Sequence, residues 1–254
     1  MRLLVIGGLH GDEPLGEAIL DELDNARDPN ITTLLGNPAA CAVEARYVEA
    51  DLNRVFPGDL LDDRYEVKRA YELRKWLDDD RFDLILDFHN TATPDNDCGF
   101  VGDQGDRTMV AAATAFLGLP RIVIANYDCI NRYASNCLSV EISLGSPSCR
   151  ADLWVARIRR LAAMEATDLN SLVLPPVFQF VKRITPEQIT NTPIERWQAF
   201  APIPEADVRS LGLPVGSQAI FIDDQFRNGY FAAVVVPARL EAESHPRTAP
   251  IAIS

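Results

Sequence analysis

Two of the three histidines in this 254-residue chain directly follow short apolar runs. His10 lies in "GGLHGDE", three residues before Glu13, and His89 lies in "LILDFHNT". Ligands of open α/β sheets bind outside the carboxyl ends of the strands, which is where both histidines would stand. Two imidazoles and one carboxylate, with a fourth position left for water, are typical of catalytic zinc sites. The sequence therefore predicts one Zn²⁺ per chain, held by His10, Glu13 and His89.

The glycine-rich turn around His10 does not fit a phosphate-binding loop. Its glycines do not have the spacing G-x-G-x-x-G, and Asp12 and Glu13 bring negative charge to the place that a phosphate would occupy. A nucleotide-binding module is therefore the weakest interpretation. We expect the glycines to let the backbone turn tightly, so that His10 and Glu13 point to one place.

The overall charge limits the possible partners. The chain has 24 basic and 37 acidic residues and a formal net charge of -13, which disfavours nucleic acid and anionic membranes. An anionic small molecule would need a local group of arginines. Arg46 and Arg54, with Asn53 between them, lie in the loop-like stretch "ARYVEADLNRVFPG" and are suited to binding a carboxylate.

These residues need a scaffold that places them together. Short apolar runs alternate with segments of helical period, which predicts an α/β fold with a mixed, mostly parallel sheet flanked by helices. The first predicted strands are Leu3–Ile6, Ile31–Leu35, Leu84–Phe88, Ile122–Ala125 and Leu138–Ile142. Apolar stripes predict helices around residues 15–23, 67–77, 109–116 and 154–161.

The texture of the sequence changes near residue 169, where prolines become frequent and "VFQFVKRI", "QAIFID" and "YFAAVVVP" indicate strands. We expect a catalytic domain over residues 1–168, a smaller β-rich C-terminal domain over 169–240, and a loose tail over 241–254 that contains His245. The five cysteines form no C-x-x-C pair, and the first residues contain no long apolar run. A cytoplasmic protein with reduced thiols is the expectation, and it can form a homo-oligomer.

Glu141 interrupts the apolar run from Leu138 to Leu144. Exposure on an edge strand would explain an acid there, but a partly buried carboxylate beside a metal is what general-base catalysis needs. Asp87 and Asn90 flank His89 and can orient it.

The motifs "GGLHGDE", "DLNRVFPG", "DFHNT" and "VEISLG", in this order, resemble the aspartoacylase and succinylglutamate desuccinylase family, relatives of the zinc carboxypeptidases. They span roughly residues 5 to 145. The resemblance implies that His10, Glu13 and His89 bind zinc, and that Glu141 is the general base that activates water and protonates the leaving amine. It also implies that Arg46 polarises the scissile carbonyl and that Asn53 and Arg54 hold the substrate carboxylate.

The remaining candidates for substrate binding are less regular. Tyr127 stands where the family places a substrate-binding tyrosine, and Asn90 is a further candidate. The family's additional substrate arginine would fall at Asn131, with Arg132 next to it. A tyrosine expected from the C-terminal domain has only Tyr230 as a candidate.

The sequence thus predicts a zinc-dependent amidohydrolase that cleaves the acyl-nitrogen bond of a small anionic N-acyl amino acid. A metallocarboxypeptidase acting on short peptides is the nearest alternative, because it would use the same zinc, base and carboxylate clamp. A non-catalytic metal-binding protein is a third interpretation, against which Glu141 and Arg46 argue. The acyl group, the amino acid and the native metal stay open.

Overall fold

A computed structural model describes residues 1–25, 28–78, 81–105, 107–189, 196–222 and 231–240. The strands in these ranges are β1 (Leu3–Gly7), β2 (Ile31–Leu35), β3 (Leu84–Thr91), β4 (Cys98–Gly102), β5 (Ile122–Ala125), β6 (Cys137–Ser143), β7 (Val177–Ile184), β8 (Gln218–Ile220) and β9 (Ala232–Ala238). The helices are α1 (Pro14–Asp24), α2 (Pro38–Ala42), α3 (Tyr65–Leu77), α4 (Thr108–Phe116), α5 (Ile130–Tyr133), α6 (Ala151–Ala162) and α7 (Glu205–Ser210). A 3₁₀ turn occupies Leu52–Arg54.

All these strands form one sheet in the order β2-β1-β3-β6-β4-β5-β7-β9-β8. The pairs from β2 to β6 are parallel, as are β4 with β5 and β5 with β7, whereas β4–β6, β7–β9 and β8–β9 are antiparallel. The predicted mixed, mostly parallel sheet is confirmed.

The strands predicted for the β-rich C-terminal segment continue this sheet through β7, which pairs with β5. The division of the chain at residue 168 stays a prediction. Tyr230, His245 and the predicted tail from residue 241 lie outside the described residues.

Helices cover both faces of the sheet, and alternate strand residues point to each. On one face, Leu84, Leu86 and Phe88 of β3 pack in a core with α1, α4 and α6. On the other face, Ile85 packs in a second core with α3 and the start of α5. Because side chains alternate along a strand, Asp87 and His89 follow Ile85 to this second face, while Asn90 points to the first.

The predicted strands and helices agree with the structure to within a few residues at their ends. The strand β4 and the short helices α2, α5 and α7 were not predicted, because segments of about four to six residues are too short to show a clear period. Among the described residues, every helix is too short or too polar to cross a membrane.

Candidate metal centre and cleft

The turn between β1 and α1 places His10 and Glu13 at the carboxyl end of β1. Gly8 has a φ of +63°, and a Cβ there would come within 2.6 Å of Cys41 Sγ. A Cβ on Gly7 would lie 2.4 Å from the carbonyl group of Gly16 in α1. Only glycine permits both the left-handed backbone and this close approach of strand and helix. The predicted tight turn is therefore present, and Pro14 begins the helix.

His10, Glu13 and His89 converge. Glu13 Oε1 lies 2.9 Å from His10 Nδ1, and Glu13 Oε2 lies 2.8 Å from His89 Nδ1. Each of the three residues offers one ligand atom within 4.8 Å of the others, and each is about 3% exposed. His10 and Glu13 come from the turn between β1 and α1, and His89 comes from β3, so the fold brings distant parts of the chain together as a cluster that can hold a metal ion.

A second carboxylate stands behind each imidazole. His10 Nε2 lies 3.1 Å from Asp51 Oδ1, and His89 Nε2 lies 2.7 Å from Asp87 Oδ2. An imidazole that ligates a metal through one nitrogen usually donates from the other to a carboxylate, which fixes its tautomer. Both histidines have this arrangement with Nδ1 turned inward. The donor set, two imidazoles and the carboxylate of Glu13, therefore fits a divalent cation such as zinc.

The ionisation of the cluster follows from its charges. Burial alone would raise the pKa of Glu13, but His10 and His89 hold that pKa well below its usual range. Burial alone would lower the pKa of His89, but the carboxylates of Asp87 and Glu13 hold it well above the ordinary value. Burial would likewise raise the pKa of Asp51, which His10 and the neighbouring arginines keep low. The cluster thus keeps its carboxylates ionised, as a cation site requires.

Arg46 reaches the same cleft from the loop that follows α2. Its Nε and Nη2 donate to Asp51 Oδ2, each at 3.1 Å, and its Nη1 donates to Glu13 Oε1 at 3.2 Å. This fork fixes the guanidinium beside the metal cluster, because two of its edges are held by carboxylates. Arg46 is therefore positioned to interact with a group bound next to the cluster.

The loop that carries Arg46 is anchored by Glu66 of α3. The backbone N–H groups of Val48, Glu49 and Ala50 donate to the Glu66 carboxylate at 2.6, 3.1 and 3.0 Å, and Asn37 Nδ2 donates to it at 3.3 Å. Burial would raise the pKa of Glu66, but these backbone donors lower it. The carboxylate is fully buried, so it is a fixed hydrogen-bond acceptor for three consecutive backbone N–H groups.

Asn53 and Arg54 lie in the 3₁₀ turn that Asp51 caps, since Asp51 Oδ1 accepts from Asn53 N at 3.0 Å. Asn53 Oδ1 accepts from Ile130 N at 2.9 Å, and Arg54 Nη1 donates to the Asn53 carbonyl at 2.6 Å. With Oδ1 used in this way, the Nδ2 group of Asn53 is the part of its amide suited to a substrate carboxylate.

Glu141 of β6 is the register partner of His89 in the parallel pair β3–β6. Partners in neighbouring strands lie about 4.8 Å apart with side chains on the same face. Glu141 is half-buried and lines the same cleft as the metal cluster. It is therefore beside the cluster and not on an exposed edge strand, since β6 is bordered by β3 and β4.

Tyr127 lines the cleft next to Arg54, whose Cζ lies 5.0 Å from the centre of the tyrosine ring. A second guanidinium, that of Arg183 on β7, has its Cζ 4.7 Å from the same ring. Phe180 packs edge-on at 4.7 Å. Two cations near one ring are a favourable arrangement for its electron-rich faces, and they fix its orientation.

Two predicted substrate residues have other partners. Asn90 Oδ1 accepts from Leu15 N at 3.0 Å and its Nδ2 donates to Ile142 O at 3.1 Å, so its amide joins α1 to β6. Arg132 is not among the cleft-lining residues, and it pairs with Asp128 at 3.1 Å and Asp103 at 3.4 Å. Asn131 lines the cleft in its place. The substrate roles of Asn90 and Arg132 stay predictions.

The cleft formed by these residues encloses about 480 Å³, part of it open to solvent. Its lining residues are His10, Glu13, Arg46, Asn53, Arg54, His89, Asn90, Phe100, Tyr127, Asn131, Ser139, Glu141 and Phe221. Sequence reasoning missed Phe100 and Phe221, because large apolar residues read as core, and it gave no role to Asp51 or Glu66. Asp51 is the first residue of the motif "DLNRVFPG", and this position was the sequence signal that could have identified it as a site residue.

Comparison with known families gives a consistent result. The model of the succinylglutamate desuccinylase/aspartoacylase catalytic domain matches residues 1–139. The chain is 39% identical over 114 residues to the rat N-acyl-aromatic-L-amino acid amidohydrolase (carboxylate-forming), a match that covers 39% of this chain and 36% of the rat protein. It is 33% identical over 132 residues to a probable aspartoacylase of Parasynechococcus marenigrum, covering 46% of this chain and 44% of that protein. The matched region therefore spans less than half the length of these relatives.

Solved structures resemble this fold over nearly its whole length. Succinylglutamate desuccinylase from Chromobacterium violaceum superposes with a TM-score of 0.72 at 16% identity, covering 94% of this chain and 85% of that one. Murine aminoacylase 3 superposes with a TM-score of 0.63 at 22% identity, covering 95% and 97%. At these identities the likeness concerns the fold alone, and it extends through the C-terminal strands that lie beyond the matched domain.

Proposed function

Because this chain belongs to the succinylglutamate desuccinylase/aspartoacylase family, we propose that it is a zinc-dependent amidohydrolase that removes the acyl group from N-acyl amino acids. The observation that carries the proposal is the convergence of His10, Glu13 and His89 beside Arg46 and Glu141 in one cleft. Holding a metal needs only the first three residues. The other two supply what hydrolysis needs in addition.

The proposed ligands of one Zn²⁺ per chain are His10 and His89 through Nδ1 and Glu13 through its carboxylate. Bound zinc would supply a Lewis acid that polarises a carbonyl group and makes water more acidic. Asp51 and Asp87 would hold the outer nitrogens of the two imidazoles and so keep the inner nitrogens ready to bind.

We assign recognition of the anionic substrate to Asn53 and to the positively charged Arg54 on the 3₁₀ turn. The α-carboxylate would receive hydrogen bonds from Arg54 and from the Asn53 side-chain amide, while Tyr127 packs against Arg54. Arginine binds a carboxylate through two parallel hydrogen bonds, which orients the substrate as well as holding it. These residues provide the local positive pocket that an acidic chain needs for an anionic substrate.

Arg46 would stabilise the negative charge that develops on the amide oxygen during attack. Its guanidinium is fixed by Asp51 and Glu13 before any substrate binds. A donor that is already oriented does not have to reorganise as charge appears, which is the basis of oxyanion stabilisation. The family resemblance gave Arg46 this role, and the hydrogen bonds to two carboxylates support it.

Glu141 would accept a proton from the attacking water and pass it to the amide nitrogen as the carbon–nitrogen bond breaks. The products are a carboxylate and a free amino acid, so the proton taken from water ends on the leaving amine. A general base must lie within reach of the water and the leaving group. Its register partnership with His89 supports this role for Glu141.

The experiment combines metal analysis with a substrate panel. We expect the purified protein to contain about one zinc per chain and to hydrolyse N-acyl amino acids, with chelation abolishing activity and zinc restoring it. Short peptides with a free carboxyl end form the comparison series. Hydrolysis of the peptides alone would replace the deacylase by a carboxypeptidase, and zinc uptake without hydrolysis of either series would leave only a metal-binding protein.

A further inference from the structure

One wall of the cleft is aromatic and was not predicted to belong to the site. Phe100 of β4 and Phe221, which directly follows β8, both line the cleft, and their rings stack with centroids 5.7 Å apart at an interplanar angle of 12°. We call this pair the aromatic wall. It joins strands from the matched catalytic domain and from the C-terminal segment.

Phe221 is held in an unusual backbone conformation. Its φ is +52°, in the left-handed region that bulky residues avoid because the Cβ crowds the backbone. The residue is nevertheless 8% exposed and well packed. Observed backbone strain in a cleft is a reason to look for a function at that residue.

Buried polar groups fix the backbone at this point. Asn96, which is fully buried, accepts a hydrogen bond from Phe221 N at 3.0 Å through its Oδ1 atom. Thr93 Oγ1 donates to the carbonyl of Ile222 at 3.1 Å. Asn96 N is in turn bound to Ser143 Oγ at 2.9 Å, which ties the arrangement to the end of β6. Two side chains therefore hold the backbone that presents the Phe221 ring.

Simple core packing does not account for the placement of this ring. Phe200 belongs to the same hydrophobic cluster, also has a positive φ of +56°, and packs against Phe178 at 5.1 Å without lining the cleft. Phe221 differs because it is one of the residues that line the cleft. Phe221 combines a backbone fixed by buried side chains with a place in the cleft lining, and this combination distinguishes it from Phe200.

The polar neighbours of the aromatic wall are already bonded within the protein. Asn131 Nδ2 donates to Phe100 O at 3.0 Å and to Cys137 O at 3.2 Å, and its Oδ1 lies 3.0 Å from Ser139 Oγ. Among the described residues that line the cleft, the arginines are Arg46 and Arg54, which have roles at the carbonyl and at the α-carboxylate. Within the described part of the chain, the cleft lining therefore offers two phenylalanines at this wall and includes no third arginine or lysine for a further carboxylate.

We propose that Phe100 and Phe221 form the subsite for an uncharged apolar group of the substrate, an aliphatic or aromatic amino-acid side chain or acyl chain. The enzyme then discriminates against N-acyl amino acids that carry a second carboxylate, since that group would be desolvated against two phenyl rings. Asn96 is the positioning residue of this subsite. The inference rests on the proposed deacylase function and specifies its substrate class.

The first test uses the wild-type protein and two substrate series. One series keeps the acetyl group and varies the amino acid over alanine, leucine, phenylalanine and aspartate; the other keeps alanine and varies the acyl group over acetyl, hexanoyl, benzoyl and succinyl. We expect kcat/KM to be at least about tenfold higher for the apolar members of one series than for its acidic member. The series that shows the preference identifies whether side chain or acyl chain contacts the wall.

The outcomes separate the two levels of the proposal. Highest kcat/KM on the acidic members would overturn the apolar subsite while the deacylase function stands. Hydrolysis of neither series would overturn the function and the subsite with it. Equal rates throughout both series would show that the wall does not select substrates, which also overturns the inference.

The second test uses Phe100→Ala and Phe221→Ala, with Phe200→Ala as the matched control from the same cluster. We expect the cleft variants to lose about tenfold or more of the apolar preference, measured as the ratio of kcat/KM for the apolar substrate to kcat/KM for N-acetylalanine. The control should keep the preference. Asn96→Ala should lower the preference like Phe221→Ala, and Asn96→Asp, which keeps the acceptor, should restore it.

If the alanine variants do not fold, inhibition of the wild-type protein by its products supplies the answer. Phenylalanine and leucine are then compared with aspartate, and hexanoate and benzoate with succinate, as competitive inhibitors. An inhibition constant at least about tenfold lower for the apolar members supports the subsite. Tighter inhibition by the acidic members would overturn it.

Discussion

The metal cluster and the aromatic wall share one cleft, yet they are built in different ways. The cluster stands at the ends of the adjacent parallel strands β1 and β3 and is held by ionic hydrogen bonds to Asp51 and Asp87. The aromatic wall is held by packing and by hydrogen bonds of the Asn96 and Thr93 side chains to the backbone, and half of it comes from beyond the matched domain. The first region is electrostatic and the second apolar.

This difference separates chemistry from selection. Charges that must meet a reacting group need fixed partners, because an unpaired buried charge is costly and a displaced one does not stabilise the transition state. An apolar wall selects a substrate group by shape, so a substitution in the wall can leave the reacting groups in place. Changes in the cluster should therefore affect every substrate, whereas changes in the wall should affect substrates unequally.

Removing a metal ligand should have the largest effect. His10→Ala and His89→Ala should each lose the bound metal and at least about 10⁴-fold of kcat/KM for all substrates, since the Lewis acid is lost. Metal content and kinetics measured together check this. His245→Ala is the control, and near-normal metal content in either cluster variant would remove that histidine from the ligand set.

Glu141→Gln should keep the metal but lose about 10²- to 10³-fold of kcat, because glutamine is nearly isosteric and cannot accept the proton. The loss should be the same for apolar and acidic substrates. A variant with full turnover would show that Glu141 is not the base, and a substrate-dependent loss would place it with the selecting wall instead.

Much of the cluster was predictable because its residues follow strands that the sequence marks clearly. The apolar runs before His10 and His89 predict strand ends, and parallel strand ends meet at one edge of a sheet. The motifs then assigned Arg46, Asn53 and Arg54 to the same cleft, where the structure places them.

The wall and the loop anchor were not predictable for physical reasons. Phe221 has the composition of a core residue, and its left-handed backbone leaves no mark in the sequence. Glu66 reads as a polar residue of α3, yet its partners are backbone amides 16 to 18 residues earlier. The order of the nine described strands also depends on pairings between distant segments, which local patterns do not reveal.

Replacing the outer carboxylates tests how far the cluster depends on its ionic partners. Asp87→Asn and Asp51→Asn should each lower metal affinity about 10- to 100-fold, because the tautomer of the attached histidine is then less well fixed. Competition with a chelator measures this. Asp152→Asn, an exposed residue paired with Arg150, is the control. Unchanged affinity in both variants would mean that the imidazoles are oriented by packing.

Glu66→Gln tests the anchor of the Arg46 loop. It should reduce the free energy of unfolding by about 1–3 kcal/mol, since glutamine cannot accept from all the donors that the carboxylate serves. The folded pKa of Glu66 is lowered, so its stabilisation is complete above the unfolded value of about 4.5 and is lost as the pH falls through the folded pKa. The difference in stability between wild type and variant should therefore be constant near neutral pH and shrink below about pH 4.5.

Thermal or denaturant unfolding at several pH values measures this difference. Glu72→Gln is a suitable control, because Glu72 lies on the same helix, is exposed and pairs with Arg69. A difference that widens in acid would contradict the assigned direction of the shift.

The smallest predicted effect concerns Arg183, which connects β7 to the cleft through Tyr127. Arg183→Met should raise KM about 2- to 5-fold and leave kcat unchanged, because a single cation–π contact contributes about 0.5–1 kcal/mol and does not change during the reaction. Lys182→Met is the control, since the adjacent lysine donates to Leu211 O instead. A lower kcat with unchanged KM would instead place Arg183 among the groups that take part in the reaction. The separation between a charged reaction centre and a wall that selects substrates would then not hold for β7.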